Sequence, residues 1–92
     1  MQSPAAQKIH DDPDSKLIAL LIREYMEHYR MDYSLSVYLP EVVMQNAEIP
    51  DRKELASAAG LAASSDEAPL LVQLLKTLRE KQSEIKIETN QV

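Results

Sequence analysis

Ninety-two residues with net charge −5, one glycine and no Cys, Trp or Phe set narrow limits. They make one domain at most, and a chain this short buries only about 60–65% of the surface its unfolded form exposes, so a lone copy is marginal. An acidic chain repels the phosphate backbone that dominates nucleic-acid affinity, and without cysteine there is neither a disulfide staple nor a thiolate zinc site.

Alanine, leucine and charged residues dominate what remains, a helical composition. Residues 1–11, MQSPAAQKIHD, have no period and are expected to be a flexible leader; they lack the apolar stretch of a signal peptide. The first helix opens at Asp12-Pro13-Asp14-Ser15. Asp12 caps free N–H groups, Pro13 suits the first helical position, where its missing N–H costs nothing, and Asp14 complements the helix dipole.

The block 17–41, LIALLIREYMEHYRMDYSLSVYLPE, holds most of the large apolar residues of the N-terminal half and all four tyrosines. Its longest apolar run, residues 17–22, is far short of the roughly 20 residues of a membrane span. On a helical wheel Leu17, Ile18, Leu21, Ile22, Tyr25, Met26 and Tyr29 share one half of the circumference, and Arg23, Glu27 and Arg30 gather opposite. A surface helix needs a stripe only somewhat wider than about 100°, and here it approaches about 180°, widened further by Leu20 and Met31. One face serves the chain's own core, so the second calls for a partner.

A shorter helix is expected over 34–39, capped by Asp32 or Ser34 and ended by Pro40, because the residue before proline avoids helical geometry. Leu35, Val37, Tyr38 and Leu39 are too closely spaced to be one-sided, so this helix is expected to be mostly covered. Residues 42–50 read as a loop. A third helix opens at Asp51 with Glu54 three residues on and closes at Gly60, the natural left-handed cap, with Leu61 folding back. Ile49 and Leu55 are placed to staple its start. Beyond a small-residue linker, 62–67, the last helix covers 68–82. Leu70, Leu71, Leu74, Leu75 and Leu78 form its stripe. Residues 83–92 are expected to be a loose tail, leaving 12–82 as the folded unit.

Few residues suggest chemistry. Glu24 and His28, four apart on one face, are two metal ligands without a third, and a solvated Glu–His pair is the better reading. The tyrosines lack the positive charge that base-stacking sites use, and fit core and interface anchors instead. Glu41 has no second carboxylate, nucleophile or base; its expected role is to fix the turn, paired with Arg23 or Arg30. With no glycine-rich loop either, an enzyme is excluded on residues, and no cofactor or metal is expected. The leucine stripe 70–78 is expected to cover the first helix or its copy in a partner, rather than to serve as a ligand for another protein's groove.

Residues 32–41, Asp32-Tyr33-Ser34-Leu35-Ser36-Val37-Tyr38-Leu39-Pro40-Glu41, follow a hydrophobic helix and end in Pro-Glu. With Leu17, Leu20, Leu21 and Tyr25-Met26 before them, they resemble the LisH motif. The resemblance is closest to its FOP, TONNEAU and oral-facial-digital syndrome protein branch, whose signature is an acidic residue, an aromatic, Ser/Thr-Leu, Val-aromatic and Pro-Glu. Leu55-Ala56, Gly60-Leu61 and Pro69-Leu70-Leu71 extend it more weakly. It implies a small all-α homodimeric bundle with the C-terminal helices packed over it, and a non-catalytic module that dimerises scaffold proteins of the centrosome, basal body and cilium. The implied location is cytoplasmic and cytoskeletal. Other centrosomal or ciliary proteins would then bind through the full-length chain. The competing reading is a monomeric adaptor that grips helices of other proteins with the same apolar surface. His28, at the edge of the stripe, would make dimerisation pH-dependent if it lies in the interface.

Overall fold

The computed structural model describes residues 4–44, 49–62 and 64–90, with side chains through residue 84. Among them are the helices α1 (Pro4–Asp11), α2 (Pro13–His28), α3 (Asp32–Glu41), α4 (Arg52–Ala58) and α5 (Leu70–Asn90), and no strand. The fold is all-α.

Two of the three helix starts expected to be capped by a side chain are so capped. Asp12 accepts hydrogen bonds from the Asp14 N–H at 3.0 Å and the Ser15 hydroxyl at 3.1 Å, with Pro13 at the head of α2. Asp51 accepts from the Glu54 N–H at 2.8 Å. Each satisfies donors that have no partner within the first helical turn.

The helix ends share one device. At Gly60 (φ 90°), the Leu61 N–H donates to the Ala56 carbonyl and the Gly60 N–H to that of Ser57, both at 3.0 Å. This paired closure around a left-handed residue is a Schellman motif. It recurs where no glycine announces it. Arg30 (φ 59°) closes α2 through Met31 to Met26 and Arg30 to Glu27, and Val43 (φ 55°) closes α3 through Met44 to Leu39 and Val43 to Pro40. A β-branched residue in this region is strained.

That third closure corrects one expectation. Pro40 does not end α3, which runs to Glu41 with the proline inside its last turn. The missing proline N–H forfeits one helical bond, to Ser36, while the carbonyls of Tyr38, Leu39 and Pro40 are all taken by the closing turn. Residues 42–44 and 49–50 carry no helix or strand, in keeping with the expected loop, although Val42 and Met44 are buried; 45–48 lie outside the described residues. At its start, α3 uses Asp32 as a first-turn residue and has no side-chain cap from Asp32 or Ser34.

The leader and tail differ as well. Residues 4–11 form α1, which turns Ala6 and Ile9, three residues apart, toward the rest of the chain. Ala6 is buried, Ile9 packs onto Ala19, Val42 and Met44, and the His10 Nε2–H donates to the Val42 carbonyl at 2.7 Å. Residues 83–90 continue α5, in keeping with a run of Lys, Gln and Glu that contains no helix breaker.

Each of the other four helices packs on α2. On one side Leu21 joins Leu55, Ala56, Leu61 and Leu70, with Leu17, Leu20, Leu71 and Leu74 around them. On the other Ala19 joins Val42 and Met44, with Ile9, Leu20, Tyr38 and Leu39 around them. Two faces of α2 are thus used within one chain.

Candidate dimerisation surface

A third face of α2 remains. Ile18, Ile22, Tyr25 and Tyr29 recur at spacings of four, three and four, one helical stripe. Ile18 is 51% exposed, Tyr25 37% and Tyr29 52%, with Ile22 half-buried. The Tyr25 and Tyr29 rings stack edge to face, 5.0 Å between centroids. On α3, Tyr33 is 85% exposed and Val37 53%, one turn apart on the outer surface. Tyr38 joins the two regions: it lines a groove with Ile9, Ile18, Ile22 and Val42, and another with Tyr33, Val37 and Glu41.

The wide stripe foreseen on the first helix therefore splits by role. Leu17 and Leu21 turn into the core against α4 and α5, whereas Ile18, Tyr25 and Tyr29 stay outward, with Met26 and Ile22 half-buried between. The expected coverage of α3 is not found. None of its residues is buried; Leu35 and Tyr38 are half-buried, and Pro40 and Glu41 are exposed. Of the α5 stripe, Leu70 is buried and Leu71 and Leu74 pack on the core, but Leu75 and Leu78 are open within one chain. Glu41 has neither expected partner, for Arg23 pairs with Glu27 at 2.6 Å and Glu41 makes no ion pair among the described residues.

Glu24 has a different partner from His28. Its carboxylate takes a hydrogen bond from the Arg52 guanidinium through one oxygen and from the Leu70 N–H, at 2.8 Å, through the other. Arg52 also donates to the Ser65 and Ala68 carbonyls, both at 2.6 Å. One ion pair thereby ties α2, α4, the connection after it and the first residue of α5. Asp66 lies 3.4 Å from the Arg52 Nε, within ion-pair range, yet that N–H has no hydrogen-bond acceptor. Nothing in the spacing of Glu24, Arg52 and Leu70 along the chain announces this latch. His28 instead sets its ring edge to face against Tyr29, 5.2 Å between centroids. Tyr38 donates its hydroxyl to the Ala19 carbonyl at 2.7 Å, and burial pushes that hydroxyl above its ordinary value of 10.0.

Among the described residues no group of three or more His, Cys, Asp or Glu could hold a metal ion, and no helix is long and apolar enough to cross a membrane. The arrangement defines a small helical binding domain whose open surface is apolar and aromatic. Residues 4–77 match the family model of the FOP N-terminal dimerisation domain, and the chain belongs to that family. Its function is accordingly dimerisation, with a second copy as partner. No curated protein and no solved structure matches the chain.

Proposed function

We propose that two copies join through the third face of α2 and the outer face of α3, and that the module dimerises a centrosomal or basal-body scaffold protein. The observation that carries the first part is the aromatic surface left after α2 has filled its two intramolecular faces. At about 200 Å² per aromatic side chain, tyrosines left 37, 52 and 85% exposed present roughly 350 Å² per protomer. A standard interface takes about 800 Å² per partner, and Ile18, Ile22, Met26 and Val37 supply much of the difference. A contiguous apolar patch of this size on a soluble chain marks an interaction site.

Aromatic residues are what interface centres favour, since they bring large area with few rotamers to freeze. The folded unit is taken as 12–82 with α1 added at its N-terminus, because Ile9 and His10 hold α1 to the Val42 region. The scaffold role, the cytoplasmic and cytoskeletal location at the centrosome or cilium base, and binding of other centrosomal or ciliary proteins by the full-length chain rest on the LisH resemblance and FOP family membership. The Pro-Glu ending of residues 32–41 supports them. The fold is read as non-catalytic on the same basis.

Sedimentation equilibrium over a concentration series tests the interface. The wild-type chain is expected at twice its formula mass down to low micromolar concentration. Ile18→Asp and Val37→Asp, both at half-exposed positions, are expected to give helical monomers, because an unpaired carboxylate in the joint disfavours only the dimer. Leu21→Asp belongs to a different class: that residue is 3% exposed within the core and its loss should unfold the chain. A dimer unaffected by Ile18→Asp and Val37→Asp refutes the proposed face. A helical wild-type monomer at every concentration would make it an adaptor groove.

A further inference from the structure

We propose that Ser64 is a phosphorylation site for an acid-directed serine kinase, and that its phosphate competes with Glu24 for Arg52 and so releases α5. Residues 64–67 read Ser-Ser-Asp-Glu, which sets carboxylates two and three positions after Ser64. A kinase whose peptide groove is lined by basic residues selects that pattern by charge. The stretch 64–69 is not helical, and Ser64, Ser65, Asp66 and Glu67 are all exposed, so the Ser64 hydroxyl is open to a kinase, which must release the Ser65 backbone from Arg52 and Gln73 to draw the segment out.

The structure places a reader for the product beside it. Arg52 and Lys53 line the same surface groove as Ser64 and Ser65. In the reaction the Ser64 oxygen attacks the γ-phosphorus of ATP. The new O–P bond replaces the bond to the β,γ-bridging oxygen, ADP leaves, and the hydroxyl proton passes to the kinase's base. The phosphoserine carries a charge of about −1.5 to −2 and three strong acceptor oxygens.

Around it Asp51, Asp66 and Glu67 are all negative, so the two nearby cations are where it finds compensation. Arg52 is the better ligand, because a guanidinium meets phosphate through two parallel N–H donors. Its Nε–H has no hydrogen-bond acceptor and only the exposed Asp66 carboxylate within ion-pair range, at 3.4 Å. A guanidinium turned toward Ser64 leaves the Glu24 carboxylate, 12% exposed, with only the Leu70 N–H. The first turn of α5 then loses its tie to α2. The site lies on the α4–α5 side of α2, away from the proposed dimer face, so the two proposals stand or fall separately.

The test incubates the full chain with ATP and an acidophilic serine kinase, with the product mapped by mass spectrometry. One phosphate on Ser64 is expected, absent from Ser64→Ala. The phosphorylated chain should melt about 4–8 °C lower, and the amides of 70–74 should exchange at least about tenfold faster. In Glu24→Gln/Arg52→Met, where the contested pair is gone, phosphorylation should alter neither. If that variant does not fold, kinase-treated wild type against Ser64→Ala carries the comparison alone. No incorporation at Ser64 overturns the proposal, and so does a phosphorylated chain whose melting temperature and α5 exchange are unchanged or whose melting temperature rises.

Discussion

Arg52→Met isolates the latch that joins three helices. The substitution keeps an unbranched apolar stem and removes only the guanidinium. Three acceptors lose a donor: the Glu24 carboxylate and the carbonyls of Ser65 and Ala68. The two carbonyls are not orphaned, because Gln73 Nε2 also donates to them, at 2.9 Å to Ser65 and 2.8 Å to Ala68. The cost therefore falls on Glu24. Breaking a fully buried ion pair from one side costs about 3–5 kcal/mol. Here the side chains are 12% (Glu24) and 26% (Arg52) exposed, so water screens the pair and about 2–3 kcal/mol is expected. Glu24→Gln keeps an acceptor for the Leu70 N–H, and should cost less. Urea unfolding at one fixed protein concentration, in all four combinations of the two substitutions, yields their coupling. The double variant should be more stable than Arg52→Met alone, with a coupling of about 1–2 kcal/mol, since a neutral Gln no longer needs the cation. A coupling below about 0.5 kcal/mol would mean that the pair is an incidental surface contact.

Leu21→Ala and Leu70→Ala remove side chains 3% and 0% exposed and should each cost about 2–5 kcal/mol in thermal or urea unfolding. Val43→Gly should raise the melting temperature. It relieves a left-handed conformation worth about 1–2 kcal/mol against a glycine entropy cost of about 0.5–1 kcal/mol, and a lowered melting temperature would show that Val43 is not strained. Gly60→Ala should act in the opposite sense by about 1 kcal/mol, because φ there is 90° and alanine disfavours it. Tyr38→Phe should cost about 0.5–1.5 kcal/mol and flatten the alkaline limb of stability. The raised Tyr38 value means that the unfolded chain loses this proton first. The hydroxyl's contribution is therefore complete below pH 10 and is lost as pH rises through the folded value. A phenylalanine variant with the same alkaline fall as wild type would contradict that assignment.

The sequence signals that held were those with a local physical cause. Asp12-Pro13 and Asp51 cap helices because their side chains and ring act within one turn, and Gly60 closes α4 because it alone there reaches φ of 90° without strain. Signals set by distant partners were not legible. Within residues 4–11 the local signals for α1 are only Pro4 at its start and Ala6 and Ile9 three apart, and its anchors, Ala19, Val42 and Met44, lie along the chain beyond it. Arg30 and Val43 occupy left-handed positions that their side chains disfavour, so only the closing hydrogen bonds reveal them. The end expected at Pro40 fails for the same reason. The rule for the residue before proline is local, and the buried Met44 with the closure at Val43 outweighs one forfeited hydrogen bond.

The width of the apolar stripe on α2 was legible, but its meaning depended on the other helices. A half-circle of large side chains is compatible with a helix buried in its own chain on all those sides. The structure separates the roles, because Leu17 and Leu21 meet α4 and α5, Ala19 meets the end of α3, and Ile18, Tyr25 and Tyr29 join neither core and stay exposed. The FOP dimerisation family supplies a second copy, and α3 offers an open face to it. Its outward Tyr33 and Val37 keep 85 and 53% of their surface in water in a lone protomer, and that surface is stabilising only when a partner covers it. A protomer with two small intramolecular cores is thus folded enough to present a third, aromatic face, the surface proposed to receive the second copy.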